Sequence, residues 1–163
     1  RHSRTTFPRL LEERLFAPLG MVDSFVPADP RSLPADAPRG YSIMWGRRSA
    51  PWTLGAEAPS GSVRSTLADM TRYLQALLDG TAPGGSALEP AAVVDGSLRI
   101  GYGWHIDQES LVWHNGMTGG FSSWMSLCPG RGRGVVVLSN TMNSVDELGR
   151  KLAGSSSGAS GIS

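Results

Sequence analysis

Residues 112–120 read VWHNGMTGG, and they place one histidine where an apolar run gives way to a glycine-rich turn. Three roles are open to His114: packing, binding a metal, or touching a substrate. Metal binding is the weakest. The histidines are His2, His105 and His114, and although His105 and His114 suit a diagonal on one sheet face, no third ligand follows at a recognisable zinc spacing. Nucleophilic catalysis within the chain is also poorly supported. GSSSG at 154–158 matches the nucleophile-elbow pattern G-x-S-x-G, but that pattern needs a strand before it and a helix after it, and here it lies in a Gly/Ser tail. Ser122 and Ser123 have no base nearby in sequence, and Cys128 sits in an apolar run before a turn, as a small hydrophobe does. Two readings of His114 remain: a structural histidine closing a strand, with the glycines shaping the turn, or a hydrogen-bonding group at a pocket edge.

Either role needs elements to hold the histidine in place. GYGWHIDQESLVWHNG reads as two strands around a turn at Asp107–Ser110, a register in which Ile106 faces Leu111, Trp104 faces Trp113, and His114 lies on the other side. FSSWMSLCPGRGRGVVVLSN reads as a second hairpin. Its Val135–Leu138 run suits a central strand covered on both faces. Three helices bracket these four strands. The first spans Phe7, Leu10, Leu11 and Leu15, with Thr6 as cap, Pro8 in the first turn, and Pro18 and Gly20 as stops. The second starts at Thr66 with Asp69 at N3, carries Leu67, Met70, Leu74, Leu77 and Leu78 as its apolar stripe, and stops at Gly80. The last is SVDELGRKLAG, capped by Ser144 with Glu147 at N3. A helical piece around Pro90–Val94 is a further expectation. Residues 26–59 carry six prolines among Tyr41, Trp45 and Trp52, too long a stretch for a simple connector; it is expected to wrap a surface and help line a pocket.

The bulk numbers narrow the function classes. The 163 residues suffice for one domain with a core. Charge is nearly balanced at +1, with 15 Lys+Arg against 14 Asp+Glu and no basic block, so nothing points to nucleic acid. One cysteine allows no internal disulfide and assigns no redox compartment. No apolar run approaches the ~18 residues of a membrane span, and RHSRTTFPRL has no apolar signal region. The sequence does not begin with Met, which raises the expectation that the true N-terminus lies upstream.

Several blocks together resemble the penicillin-binding-protein and class C β-lactamase-like serine hydrolase family. WHNGMTGGFSSWMSLCPGRGRGVVVLSN resembles the third active-site motif, Lys-Thr-Gly or His-x-Gly, with the hairpin and Val-rich strand after it; His114, Asn115 and Gly116 match the His-x-Gly form. LLEERLFAPLGM resembles the family helix ending Pro-Leu-Gly-Met, APSGSVRSTLADMTRYLQALLDG its Gly-x-x-x-Ser-Thr-x-x-Asp helix start, and GYGW the strand before the third motif. The resemblance covers most of residues 7–152.

The other two motifs of the family are absent. Lys151 is the only lysine and Leu148 stands three residues before it, so there is no Ser-x-x-Lys. Tyr41, Tyr73 and Tyr102 are followed two places on by Ile43, Gln75 and Trp104, so there is no Tyr-x-Asn.

The resemblance therefore implies an α+β fold, an antiparallel sheet flanked by helices, incomplete for want of its N-terminal part. On this reading residues 1–153 would form the C-terminal portion of a hydrolase domain, and the Gly/Ser composition of 154–163 is that expected of a low-complexity, disordered tail. It implies a serine hydrolase of amide or ester bonds working through an acyl-enzyme, without cofactor or metal, on a small-molecule or peptide substrate. His114 and Gly116 would border the reacting group, the Met117 N–H would be one oxyanion donor, and Asn115, Trp45 and Trp52 would contact substrate. The competing reading is a non-catalytic homologue acting as a binding or structural module. Nothing in the sequence assigns a compartment.

Overall fold

Thr66 begins the longest helix as its chemistry requires: its hydroxyl accepts the Asp69 N–H at 3.2 Å, and Leu67–Leu78 follow. The box is completed differently from the sequence expectation. The Asp69 carboxylate does not return to Thr66; it accepts from the Asp23 N–H and the Ser24 hydroxyl at 2.8 Å each and pairs with Arg72 at 2.7 Å. Fully buried, this one side chain ties the segment after the first helix to the start of the second. The structure, a computed structural model, describes residues 5–42 and 46–154; His2, Trp45 and the tail from 155 lie outside them.

Among the described residues one antiparallel sheet has six strands in sequential order: β1 (Ala92–Val93), β2 (Leu98–Ile100), β3 (His105–Asp107), β4 (Val112–Thr118), β5 (Phe121–Cys128) and β6 (Arg133–Ser139). The sequence predicts four strands; β1 and β2 are the additions, and β1 takes the place of the helical piece expected near Pro90–Val94, the nearest helical turn being Gly85–Leu88. The Leu67–Leu78 helix packs on one sheet face, where Leu74, Leu77, Ile106, Val112, Met125 and Leu127 make the core. The C-terminal helix Asp146–Ala153 covers the other face. It approaches so closely that a Cβ on Gly149 would overlap the Trp124 ring. Its start differs by one position from the sequence reading: the Ser144 hydroxyl accepts from the Asp146 N–H, and the capping residue is Val145.

The first helix runs Phe7–Leu11, passes through a π-helical turn at Glu12–Phe16 and ends with Ala17–Leu19, capped by Gly20 at φ 65°. Pro18 thus lies inside the last turn instead of ending it; the widened turn before it accommodates a ring that donates no hydrogen bond. The residue this helix buries is Phe16.

Two differences from the sequence reading bear on the site. The β3–β4 hairpin pairs His105 with Trp113 and Ile106 with Val112, one residue away from the predicted register. The loop holds three residues, with Ser110 at φ 62° in the left-handed region, the Asp107 N–H donating to the Leu111 carbonyl, and the Asp107 carboxylate accepting from Glu109 and Leu111. A shift of one exchanges the faces. Secondly, β6 is an edge strand. Helices contact both its faces, and Val135–Val137 are half-buried, but its outer side has no strand partner among the described residues.

Candidate active site

The β3–β4 register decides what borders His114. The Leu111 carbonyl points at β3, so with the period of two the main chains of Trp113, Asn115 and Met117 point the same way. Pairing between β3 and β4 stops at the His105–Trp113 rung. Beyond it the N–H and C=O groups of Asn115 and Met117 face no neighbouring strand among the described residues. Here β4 presents an open backbone edge, able to take an extended ligand chain by strand addition.

His114, Gly116 and Thr118 share the face above that edge, opposite Met125, Ser123 and Phe121 on β5. A cleft of 280 Å³ opens there, lined by Met70, Tyr73, Trp104, His114, Ser123 and Met125 among others. Trp104 does not pair with Trp113; its ring meets His114 edge-on, 6.5 Å between centroids. Burial in this surround, with the His105 ring 6.2 Å away, lowers the His114 pKa from 6.5. His114 is therefore a neutral imidazole at neutral pH, a donor and acceptor and not a fixed cation. Burial also raises the Tyr73 pKa. Gly116 leaves the floor open, since a Cβ there would come within 3.2 Å of the Ser123 Oγ.

The hairpin tip is Gly119–Gly120, both at positive φ. The segment before it in sequence folds onto that tip: a Cβ on Gly120 would stand 2.7 Å from Gly40, Tyr41 and Ser49 atoms, and one on Gly119 3.2 Å from the Trp52 ring. Residues 40–42 and 46–52 thus fold onto the tip, in keeping with a segment too long to be a simple connector, and Trp52 is half-exposed beside it.

The opposite face is filled by packing. His105 stacks on Trp113 at 4.3 Å, Trp113 on Trp124 at 4.8 Å, and the Arg150 guanidinium lies 4.4 Å from the Trp113 ring centre. The Asn115 side chain turns this way and donates to Asp146 at 2.7 Å, so its contribution to the open edge is its backbone. The Ser122 hydroxyl donates to the Asn143 carbonyl at 2.6 Å. No group of three His, Cys, Asp or Glu side chains is placed to hold a metal, and no helix is long and apolar enough to cross a membrane, among the described residues.

A family model for β-lactamases matches residues 1–155. The chain belongs to the β-lactamase family. Solved structures agree on the fold. The chain is similar to a class C β-lactamase (TM-score 0.72, 19% identity, covering 94% of this chain and 52% of that one). It is similar to a penicillin-binding protein from Bacillus halodurans (0.77, 22%, 92% and 49%) and to a D-alanine carboxypeptidase from Burkholderia cenocepacia (0.75, 20%, 92% and 55%). No curated protein matches. The chain spans about half the length of these structures, and the fold is incomplete to that extent.

Of the residues singled out in the sequence, His114, Gly116 and Met117 fall together along the open part of β4, with Trp52 at its tip. Asn115 shares the strand with its side chain on the far face, and Trp45 lies outside the described residues. Sequence reasoning misses Trp104 as the neighbour of His114 and Tyr73 as a cleft wall. The signal for Tyr73 is available, since it stands between Met70 and Leu77 at helical spacing, on the side of the second helix that packs against the core.

Proposed function

We propose that this chain is the part of a serine hydrolase that supplies the substrate-binding strand for an amide or ester bond, in a reaction that passes through an acyl-enzyme. The observation that carries the reading is the open β4 edge with a neutral histidine and a side-chain-free glycine on the face above it. An acyl substrate laid against that edge pairs its backbone with Asn115 and Met117. The Met117 N–H is then one donor to the oxyanion that forms when a nucleophile adds to the carbonyl. His114 hydrogen-bonds the substrate or the proton network beside it. The nucleophilic serine and its base belong to the portion of the relatives' length that this chain does not span, since Ser-x-x-Lys and Tyr-x-Asn are absent here. A single oxyanion donor contributes about 10²–10³ in rate, which does not replace a nucleophile. That absence is also the observation favouring the second reading, a binding module without turnover.

A fluorescent fluorophosphonate and a fluorescent penicillin, applied to the 163-residue chain and to the longest reading frame continuous with it, separate these. Labelling of the longer form alone is the expected result. Labelling of the 163-residue chain overturns the assignment of the nucleophile and directs attention to Ser123, which lines the cleft. Labelling of neither supports the binding module.

A further inference from the structure

A second cavity, of 350 Å³, lies away from the open β4 edge, where the β5–β6 hairpin meets the last turn of the C-terminal helix. Leu111, Val135 and Leu152 are among its apolar walls, and Ser126, Cys128, Arg131 and Arg133 also line it. By the period of two, Ser126 and Cys128 share one face of β5, and their rung partners Val135 and Arg133 share the same face of β6. This is the face that the C-terminal helix covers, since Trp124, on the same side of β5, packs against Gly149. Ser126 is fully buried, yet its Oγ has no hydrogen-bond partner. That is unfavourable for a hydroxyl, and buried side-chain oxygens are nearly always paired. Arg131 and Arg133 flank Gly132, which turns the chain at φ 59°. Both are exposed, and neither forms an ion pair among the described residues. Arg150 and Lys151 in the last helical turn add to the positive charge here, while the acidic residues of that helix, Asp146 and Glu147, stand in its first turn. The cavity thus combines apolar sides, a cationic rim and an unpaired hydroxyl in its wall.

We infer that this cavity is a second ligand site, and that it takes a small hydroxylated aromatic acid. The acid group lies at the rim with Arg131 and Arg133, the ring lies between Leu111, Val135 and Leu152, and the hydroxyl pairs with the Ser126 Oγ. The rungs Ser126–Val135 and Cys128–Arg133 stand two residues apart, about 7 Å along the strands, a separation that a para-substituted benzene ring bridges. The volume falls at the small end of the range for small-molecule sites, about 300–1,000 Å³, which suits one ring better than a long chain. A rigid aromatic body buries apolar surface without losing internal freedom on binding. Guanidinium groups pair with a carboxylate through charge-assisted hydrogen bonds, and a hydroxyl can both donate to and accept from Ser126. Nothing in this site depends on β4 binding a substrate, and such a ligand would act on the end of the C-terminal helix, not on the reacting bond.

The test uses the complete polypeptide that carries this chain. Isothermal titration compares para-hydroxyphenylacetate with phenylacetate, which lacks the hydroxyl, and with para-hydroxyphenylacetamide, which lacks the charge. The expected result is tightest binding of para-hydroxyphenylacetate. Loss of the charge should weaken binding about tenfold or more, the scale of a hydrogen bond to a charged group, and loss of the hydroxyl about two- to tenfold, the scale of a neutral one. Ser126→Ala should bring para-hydroxyphenylacetate down to the affinity of phenylacetate and leave phenylacetate unchanged, which also shows the variant to be folded. The double variant Arg131→Gln, Arg133→Gln changes only exposed side chains and should abolish the preference for acid over amide. Cys128 reports the place of binding, because it lines the cavity and its thiol is free. Its alkylation by iodoacetamide, read on the Cys128 peptide by mass spectrometry, should slow in the presence of para-hydroxyphenylacetate. Absence of binding by the complete polypeptide, equal affinity for the three compounds, or binding that leaves Cys128 alkylation unchanged overturns the inference.

Discussion

His114 shows how a single side chain's surroundings set its chemistry. Its ring is solvent-reachable, yet the cleft behind it and the neighbouring His105 ring disfavour the imidazolium, so the folded-state pKa lies below 6.5. The sign of the consequence follows from proton linkage. The folded protein holds this proton less readily than the unfolded chain. Above 6.5 both states are neutral and the group contributes nothing to the pH dependence. As pH falls through 6.5 the unfolded chain is protonated first, and stability declines until the folded-state value is passed. Histidine C2–H shifts followed by NMR should give a midpoint below 6.5 for His114. Replacing Trp104 with alanine opens the ring to water and should move that midpoint upward. A midpoint at or above 6.5 in the unsubstituted protein, or no response to Trp104→Ala, contradicts this account. In the complete polypeptide, kcat/KM should fall on acidification with the same midpoint, because the cationic ring loses its acceptor nitrogen.

At the scale of elements, the fold places its helices by close approach. The C-terminal helix lies against Trp124 only because residue 149 has no side chain. Gly149→Ala should destabilise the protein by about 1–3 kcal/mol, the usual range for overpacking, in spite of alanine's better helix propensity. Urea denaturation measures this; an unchanged or raised midpoint would show that the helix can slide off the indole. The same scale explains what the sequence reveals. The Thr66 cap, the Gly119–Gly120 tip and the Pro-rich wrap are local, and their residues announce them. The β3–β4 register is not, because it turns on Ser110 adopting a left-handed φ that residue type does not advertise. That one-residue difference moves Trp104 from the side of Trp113 to the side of His114. Strands β1 and β2 are two and three residues long, held by pairing and too short to carry a pattern.

The whole molecule has a sheet with one side unfinished. Among the described residues the outer edge of β6 is unpaired over a Val-rich run, and Leu138 on it is exposed. On the C-terminal helix, Leu148 and Leu152 form an exposed apolar stripe at i, i+4, beside Gly149, which faces the sheet. Leu67, on the apolar stripe of the second helix, is exposed as well. An open strand edge next to bare leucines is a template for association, and natural edges are normally covered, shortened or charged to prevent it. In a chain that spans about half the length of its structural relatives, we propose that these surfaces would take further chain. The 163-residue chain on its own should therefore self-associate as concentration rises, with a broad thermal transition, by sedimentation velocity and calorimetry. Leu138→Lys should reduce the association by placing a charge on the open edge, without lowering the melting temperature. A monomer with a sharp, cooperative transition would mean that the edge is protected within these 163 residues, and that the chain is a self-sufficient domain instead of part of a larger sheet.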